Sequence, residues 1–181
     1  MLIRVQDLRL RHLDFSLELG PGAIDLGPDI RQAAPLATSG RAQVVQEHRG
    51  GRLGTIDDIR VAGRLTTSIE LACARCLEPV GRPVEREFDL LYRPRGVDRR
   101  AEEAGISGPE AEIGYYEGQG LELEDVLREQ VLLAVPMKAV CRDDCRGLCP
   151  RCGRNLNREP CACAEAADPR WSALEEWKSK R

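Results

Sequence analysis

The sequence predicts an α+β fold: a β-rich antiparallel domain of barrel or sandwich type, with one or two packed helices and a cysteine-rich C-terminal module. Three observations predict it. Apolar and polar residues alternate through parts of the first half, one amphipathic helical stripe follows in the second half, and six of the eight cysteines lie in the last quarter. With 181 residues and 42% apolar content, the chain is long enough for one domain with a core and a small appended module.

Residues 1–93 are predicted to form the β-rich domain. Strict alternation places Leu13, Phe15, Leu17 and Leu19 on one face of a strand. The Gly20-Pro21-Gly22 run ends that strand, and a connection covers residues 27–40. The further predicted strands are one that begins at Gln43, one or two within 56–71 with a possible break at Gly63, and one over 84–92, with a turn at Gly50-Gly51.

The second half divides into three predicted segments. Residues 94–112 are charged and punctuated by Gly and Pro, which predicts a flexible acidic loop. Residues 113–140 contain a helix over 121–135 that ends before Pro136 and packs on the β-rich domain. Its apolar stripe consists of Leu123, Val126, Leu127, Val131 and Ala134. Residues 141–181 are predicted to form a metal-binding module followed by a helix from Asp168 that carries Trp171 and Trp177.

The cysteine spacing within 141–163 predicts a zinc knuckle. Cys149 and Cys152 are separated by two residues, a spacing that lets both sulfurs reach one ion. Gly153 follows them and permits the left-handed backbone that such a turn favours. Four of the six thiols in this stretch are expected to bind one Zn²⁺, and the spacing alone leaves open which four. The six candidates are Cys141, Cys145, Cys149, Cys152, Cys161 and Cys163.

A second C-x-x-C pair, Cys73 and Cys76, follows a predicted strand. It is a candidate for half of a second metal site, because eight cysteines make two sets of four. The alternative is a redox C-x-x-C, which requires a helix N-terminus that lowers the thiol pKa. Pro79 and Gly81 follow almost at once, so we favour a structural role for this pair.

Composition and motifs limit the function. Near its N-terminus the chain shows no signal-peptide pattern, and it has no apolar run long enough to span a bilayer, which predicts a cytoplasmic protein without a membrane partner. Catalytic motifs are lacking and the two His residues belong to no motif, so neither enzyme activity nor a small-molecule substrate is expected. Five arginines among the C-terminal cysteines outnumber three acids and are candidates for binding RNA or a partner: Arg142, Arg146, Arg151, Arg154 and Arg158.

The motifs from Cys73-Ala-Arg-Cys76-Leu-Glu-Pro through Leu132-Leu-Ala-Val-Pro136 to Cys149-Pro-Arg-Cys152-Gly-Arg-Asn-Leu-Asn together resemble the YceD family. Those motifs cover roughly residues 70–180. The resemblance implies a cytoplasmic, non-enzymatic factor in the synthesis, processing or stability of large-subunit ribosomal RNA. It also implies metal and nucleic-acid binding.

Three functional hypotheses follow. In the first, the chain is a ribosome-assembly factor that binds ribosomal RNA or a ribosomal protein through its zinc-stabilised module, and salt-sensitive binding would indicate RNA. In the second, the cysteine cluster is a thiol sensor that releases zinc on oxidation. In the third, the metal only folds the C-terminus, and the acidic stretch 102–129 contacts a basic ribosomal protein. The sequence does not determine the oligomeric state.

Overall fold

A computed structural model describes residues 1–49, 54–97 and 113–163. Eight strands and two helices lie in these ranges. The elements are β1 (Leu2–Arg4), α1 (Val5–Leu10), β2 (Leu13–Leu19), β3 (Ile30–Gln32), β4 (Leu36–Arg49), β5 (Gly54–Ala72), β6 (Pro79–Pro94), β7 (Ile113–Tyr116), β8 (Gly120–Glu122) and α2 (Leu123–Ala134).

Six strands form one sheet in the order β2-β4-β5-β6-β7, and β3 pairs with the end of β5. All pairings in this sheet are antiparallel except β6 with β7, which is parallel. β1 and β8 form a separate two-stranded sheet. The predicted strand-rich α+β class is confirmed. Within the described residues the sheet is open, with β2 and β7 at its edges, and it does not close into a barrel.

The core lies on one face of the sheet. In β5, the side chains of Ile59, Val61 and Leu65 are almost completely buried. The residues on either side of Leu65, Arg64 and Thr66, are exposed. This alternation is typical of an antiparallel sheet with one face on the core and one face in solvent. The apolar stripe of α2 joins the same core, which confirms that a helix packs there, and Leu8 of α1 also contributes.

Several elements differ from the prediction. β4 begins at Leu36 instead of Gln43, and β3 lies inside the predicted 27–40 connection. The helix α1 and the short strands β1, β7 and β8 were missed, because runs of three to six residues are too short to show a period.

Gly63 does not break β5. It pairs directly with Gly40 of β4 and with Phe88 of β6. A Cβ at Gly40 would lie 2.4 Å from the Ala62 carbonyl oxygen and 2.6 Å from the Phe15 ring. The glycines therefore serve a close approach of strands and aromatic rings, and the strand continues through them.

Part of the prediction concerns residues outside the described ranges. These parts are the Gly50-Gly51 turn, most of the acidic loop, and the helix with Trp171 and Trp177. The longest helix of the described residues is α2, with 12 residues, and none of their helices is long and apolar enough to cross a membrane.

Candidate metal centres

The eight cysteines lie in two groups of four. Within each group the four sulfur atoms are within 4.8 Å of one another. We call Cys73, Cys76, Cys141 and Cys145 cluster one, and Cys149, Cys152, Cys161 and Cys163 cluster two. The pair left over from the six C-terminal cysteines is thus Cys141 with Cys145, and it lies against the distant Cys73 and Cys76.

Cluster one joins the sheet to the chain that follows α2. Cys73 and Cys76 lie in the turn between β5 and β6, and two backbone hydrogen bonds attach later residues to this turn. The Ala74 N–H donates to the Ala139 oxygen at 2.8 Å, and the Leu148 N–H donates to the Arg75 oxygen at 3.0 Å. The C-terminal segment is therefore docked on the β5–β6 turn.

Side chains reinforce this docking. The Arg75 guanidinium donates to the carbonyl oxygens of Asp143 and Cys145, at 2.9 and 3.0 Å. Arg82 of β6 donates to the Val140 oxygen at 2.7 Å. Three of the four sulfur-bearing side chains are buried in a small apolar cluster, and only Cys141 is exposed. Cluster one is consequently part of the protein interior.

Cluster two is local and more exposed. Its four cysteines all come from residues 149–163. Cys149 is buried, Cys161 is half-buried, and Cys152 and Cys163 are exposed. Within the described chain, solvent therefore reaches this cluster more easily than cluster one.

The two C-x-x-C turns share one backbone geometry, and we refer to residues 73–78 as knuckle one and residues 149–154 as knuckle two. The residue after the second cysteine donates its N–H to the first cysteine's carbonyl, at 3.0 Å for Leu77 and 2.9 Å for Gly153. In both knuckles that residue is left-handed, with φ of 61° for Leu77 and 70° for Gly153. Leu77 is the only non-glycine residue with positive φ in the described chain, and it is exposed.

A further bond completes the equivalence. The first cysteine of each knuckle donates its N–H at 2.8 Å to the carbonyl five residues later, Glu78 in one case and Arg154 in the other. Neither knuckle begins a helix, so the structural context that the redox interpretation of Cys73 and Cys76 requires is not found there.

The knuckles also set the thiol pKa values. Backbone N–H groups, first of Arg75 and then of Cys76, lower the pKa of Cys73 to about 6. Those of Cys152 and Arg151 lower the pKa of Cys149 to about 6 in the same way. These N–H groups favour a thiolate at the first position of each knuckle.

The opposite shift occurs elsewhere in each cluster. Although Cys141 as a whole is exposed, desolvation of its thiol, followed by hydrogen bonds with the neighbouring sulfurs, raises the pKa of Cys141 to about 12. Hydrogen bonding with Cys152, and then desolvation of its thiol, raises the pKa of the exposed Cys163 to about 12. Four thiolates at this spacing repel one another, so full ionisation of each cluster requires a cation among the sulfurs.

The sulfur spacing fits a tetrahedral zinc ion. With Zn–S bonds of about 2.3 Å, tetrahedral geometry places the sulfurs about 3.8 Å apart. The Cys73 and Cys145 sulfurs are 3.9 Å apart, and those of Cys76 and Cys141 are 3.7 Å apart. A disulfide requires about 2.05 Å, so these contacts are not disulfide bonds. The donor set and spacing therefore suit a divalent ion with four thiolate ligands.

Asn157 supports cluster one, and sequence reasoning missed it. Its Nδ2 donates to the Cys145 sulfur at 3.3 Å. Its Oδ1 accepts from the Arg146 N–H at 2.8 Å and from the Arg142 guanidinium at 3.0 Å. The available signal was the Asn155-Leu156-Asn157 run after the C-x-x-C-G motif, because Asn side chains commonly bond to backbone in turns.

The five candidate arginines are all exposed, but three of them already have partners. Arg142 pairs with Asp144 as well as Asn157, Arg154 pairs with Glu159, and Arg158 pairs with Glu78. The guanidinium groups of Arg146 and Arg151 have no hydrogen bond or ion pair with any residue in the described ranges. Those two are thus the most available for an outside partner.

Comparison with known proteins assigns the chain to a family. Residues 61–178, about two thirds of the chain, match the family described as large ribosomal RNA subunit accumulation protein YceD. The chain belongs to the YceD family. The matched range includes most of β5, all of α2 and every cysteine of both clusters.

Two mycobacterial proteins are also similar to this chain. An uncharacterized protein of Mycobacterium tuberculosis is 35% identical over 122 residues, 66% of this chain and 56% of its own length. A second, from Mycobacterium leprae, is 30% identical over 119 residues, 65% of this chain and 52% of its own. The chain therefore spans just over half the length of these relatives.

A plant relative carries a functional name. The maize protein named large ribosomal RNA subunit accumulation protein YCED homolog 1, chloroplastic, is 28% identical over 193 residues, 87% of this chain and 66% of its own length. No solved structure matches the chain.

Proposed function

We propose that this chain is a non-enzymatic factor that supports the accumulation of large-subunit ribosomal RNA, in its synthesis, its processing or ribosome assembly. The family description and the names of the plant relatives support this role. The pair of four-sulfur clusters is the observation that supports a non-enzymatic role. A metal ion with four thiolate ligands has no open position for a substrate, so such a site stabilises structure.

The proposal assigns one Zn²⁺ to each cluster. Cluster one would hold the segment after α2 on the β5–β6 turn, and cluster two would fold residues 149–163. The thiol donors, the sulfur spacing and the N–H groups directed at Cys73 support zinc over harder ions, which prefer oxygen ligands.

Binding to ribosomal RNA or to a ribosomal protein is assigned to the surface of this C-terminal segment. Arg146 and Arg151 are the proposed contacts, because their guanidinium groups are exposed and have no partner in the described chain. The other three arginines hold internal ion pairs and contribute less. We further propose a cytoplasmic location and no small-molecule substrate.

The experiment is a complementation assay in the source organism. Cells that lack the gene should accumulate less mature large-subunit ribosomal RNA, with small-subunit ribosomal RNA from the same cells as the internal control. Wild-type protein should restore the ratio, and a variant with Cys73→Ser and Cys149→Ser should not. An unchanged ratio in the deletion strain, or an equal loss of both RNAs, would contradict the proposal.

A redox-switched zinc protein is the second candidate function, and one observation favours it. Cys152 and Cys163 of cluster two are exposed, so an oxidant can reach their sulfurs directly. Oxidation of two thiolates to a disulfide transfers two electrons to the oxidant and removes two zinc ligands. Zinc loss that changes ribosomal RNA accumulation only under peroxide would support this function.

A further inference from the structure

Knuckle one and knuckle two have the same backbone geometry, but in the described chain only knuckle one has backbone hydrogen bonds with a segment outside it, residues 139–148. Knuckle two is joined to residues 159–163 by the Arg154 guanidinium and by the cysteine sulfurs of cluster two. In knuckle one, Arg75 is the residue before the second cysteine. It bonds to residues 139–148 through both its side chain and its carbonyl oxygen. Its guanidinium donates to the Asp143 and Cys145 carbonyls, and its own carbonyl accepts the Leu148 N–H. One arginine thus recognises both the acceptors and a donor of a polypeptide main chain.

Arg151 occupies the equivalent position of knuckle two. It is exposed, and within the described residues neither its guanidinium nor its carbonyl oxygen has a hydrogen-bond partner. Among the five candidate arginines, Arg146 also has a guanidinium with no partner in the described residues, but it lies outside both knuckles, and its backbone N–H donates to Asn157. Only Arg151 therefore combines the geometry of Arg75 with free donors and a free acceptor.

The residue before Arg151 restricts how a segment can bind. In knuckle one, Ala74 donates its N–H to the Ala139 carbonyl. Pro150 replaces it in knuckle two and has no N–H to donate. A polypeptide segment that binds knuckle two can consequently form hydrogen bonds with Arg151 but cannot accept one from residue 150. Such a segment would bind as a single extended strand.

Charge distinguishes a protein partner from a nucleic acid. Each zinc ion with four thiolates carries a net charge of −2, so two such centres change the formal charge of the chain from −3 to about −7. Residues 149–163 carry three arginines and one glutamate, so cluster two with its ion brings this stretch close to zero. RNA binding normally requires a strongly basic surface, which the zinc-loaded chain does not have there.

We infer that knuckle two binds an extended main-chain segment of a basic partner protein, with Arg151 donating to its carbonyl oxygens as Arg75 does to Asp143 and Cys145. This rests on the proposed function and selects a ribosomal protein over ribosomal RNA as the direct contact. Basic side chains on the segment suit the negative charge of the zinc-loaded chain.

The test uses the full-length zinc-loaded chain with a photoreactive residue at Pro150, mixed with immature large-subunit particles. The same residue at Thr66, on the exposed face of β5, is the control position. We expect a protein adduct at position 150 that protease removes and ribonuclease does not. Adding Arg151→Ala should lower the adduct yield about tenfold, since hydrogen bonds from a charged donor are lost. Arg154→Ala should lower the yield much less than Arg151→Ala does, because the Arg154 guanidinium already bonds Pro160 and Glu159.

Each other outcome overturns the inference. An RNA adduct at position 150, a protein adduct that Arg151→Ala does not reduce, or no adduct on particles that still carry the chain would exclude this contact. Zinc content of each variant, measured in parallel, excludes unfolding of cluster two as the cause. An RNA adduct leaves the proposed function standing, whereas an unchanged ribosomal RNA ratio in the deletion strain removes it.

Discussion

Clusters one and two have the same four ligands and the same knuckle, but the rest of the molecule treats them differently. Cluster one brings together cysteines up to 72 residues apart and lies mostly buried beneath the docked segment. Cluster two closes a local stretch of 15 residues and exposes two of its sulfurs. A metal ion in cluster one would therefore belong to the fold of the domain, whereas one in cluster two would stabilise a surface.

The largest effect is expected when cluster one loses a ligand. Cys76→Ser should release the segment from 139 to 148, because a structural zinc ion contributes roughly 10–16 kcal/mol of apparent binding free energy that the knuckle contacts alone do not replace. Hydrogen exchange of the Leu148 N–H, which bonds to Arg75, reports this release. Cys152→Ser is the matched control and should leave that N–H protected. Equal exchange in both variants would remove the distinction between the clusters.

Zinc loss under mild peroxide should separate the clusters in time. We expect one ion per chain to leave cluster two at least about tenfold faster than the second ion leaves cluster one, because burial limits oxidant access to Cys73, Cys76 and Cys145. A colorimetric zinc chelator follows the release. In Cys152→Ser the fast phase should be absent. A single rate for both ions in the wild-type protein would be inconsistent with the difference in burial.

Asn157→Ala should weaken metal binding at cluster one alone. The substitution removes the amide that donates to the Cys145 sulfur, and loss of such a supporting bond typically lowers metal affinity about 10–100-fold. Competition with a chelator of known affinity measures the change. Asn155→Ala is the control, and it should lower the metal affinity less, because the Asn155 side chain bonds to Asn157 and Glu78 but to no sulfur. A loss of zinc from cluster two would show that Asn157 acts on the whole segment.

The smallest effect concerns the left-handed residue of each knuckle. A left-handed backbone costs a non-glycine residue about 1–2 kcal/mol, so Leu77→Gly should raise the stability of knuckle one by about 1 kcal/mol. Gly153→Ala should lower that of knuckle two by a similar amount. A Cβ at Gly153 meets no atom within 4 Å, so the backbone alone is responsible. Urea unfolding at fixed free zinc measures both, and a destabilised Leu77→Gly would indicate that the exposed leucine makes a stabilising contact.

Some of the fold could be predicted because its signals are local. The alternation from Leu13 to Leu19 has the same bounds as β2, and the apolar stripe predicted for residues 121–135 is the buried face of α2. The two-residue alternation recurs along all of β2, and the helical spacing of apolar residues recurs over three turns of α2. The three-residue strands β1, β3 and β8 have no such repeat, and their place is set by their partners in the sheets.

The cysteine count indicated a second set of four that includes Cys73 and Cys76, but the spacing could not identify the C-terminal pair that joins them. Cys141 and Cys145 are close in sequence to Cys149, but the docking of Ala139 and Leu148 on the β5–β6 turn directs their sulfurs to Cys73 and Cys76. That docking is a tertiary contact across more than 60 residues and leaves no mark on the local sequence. The C-x-x-C motifs themselves, and the left-handed residue after Cys152, were readable because they depend only on their own turn.

Native mass spectrometry of the reduced 181-residue chain counts the metal ions that the two clusters bind. We predict two zinc ions per chain in the wild-type protein. One ion should remain in Cys141→Ser, held by cluster two, and one in Cys161→Ser, held by cluster one. A single zinc ion in the wild-type protein, or the loss of both ions from either variant, would contradict two separate four-thiolate centres.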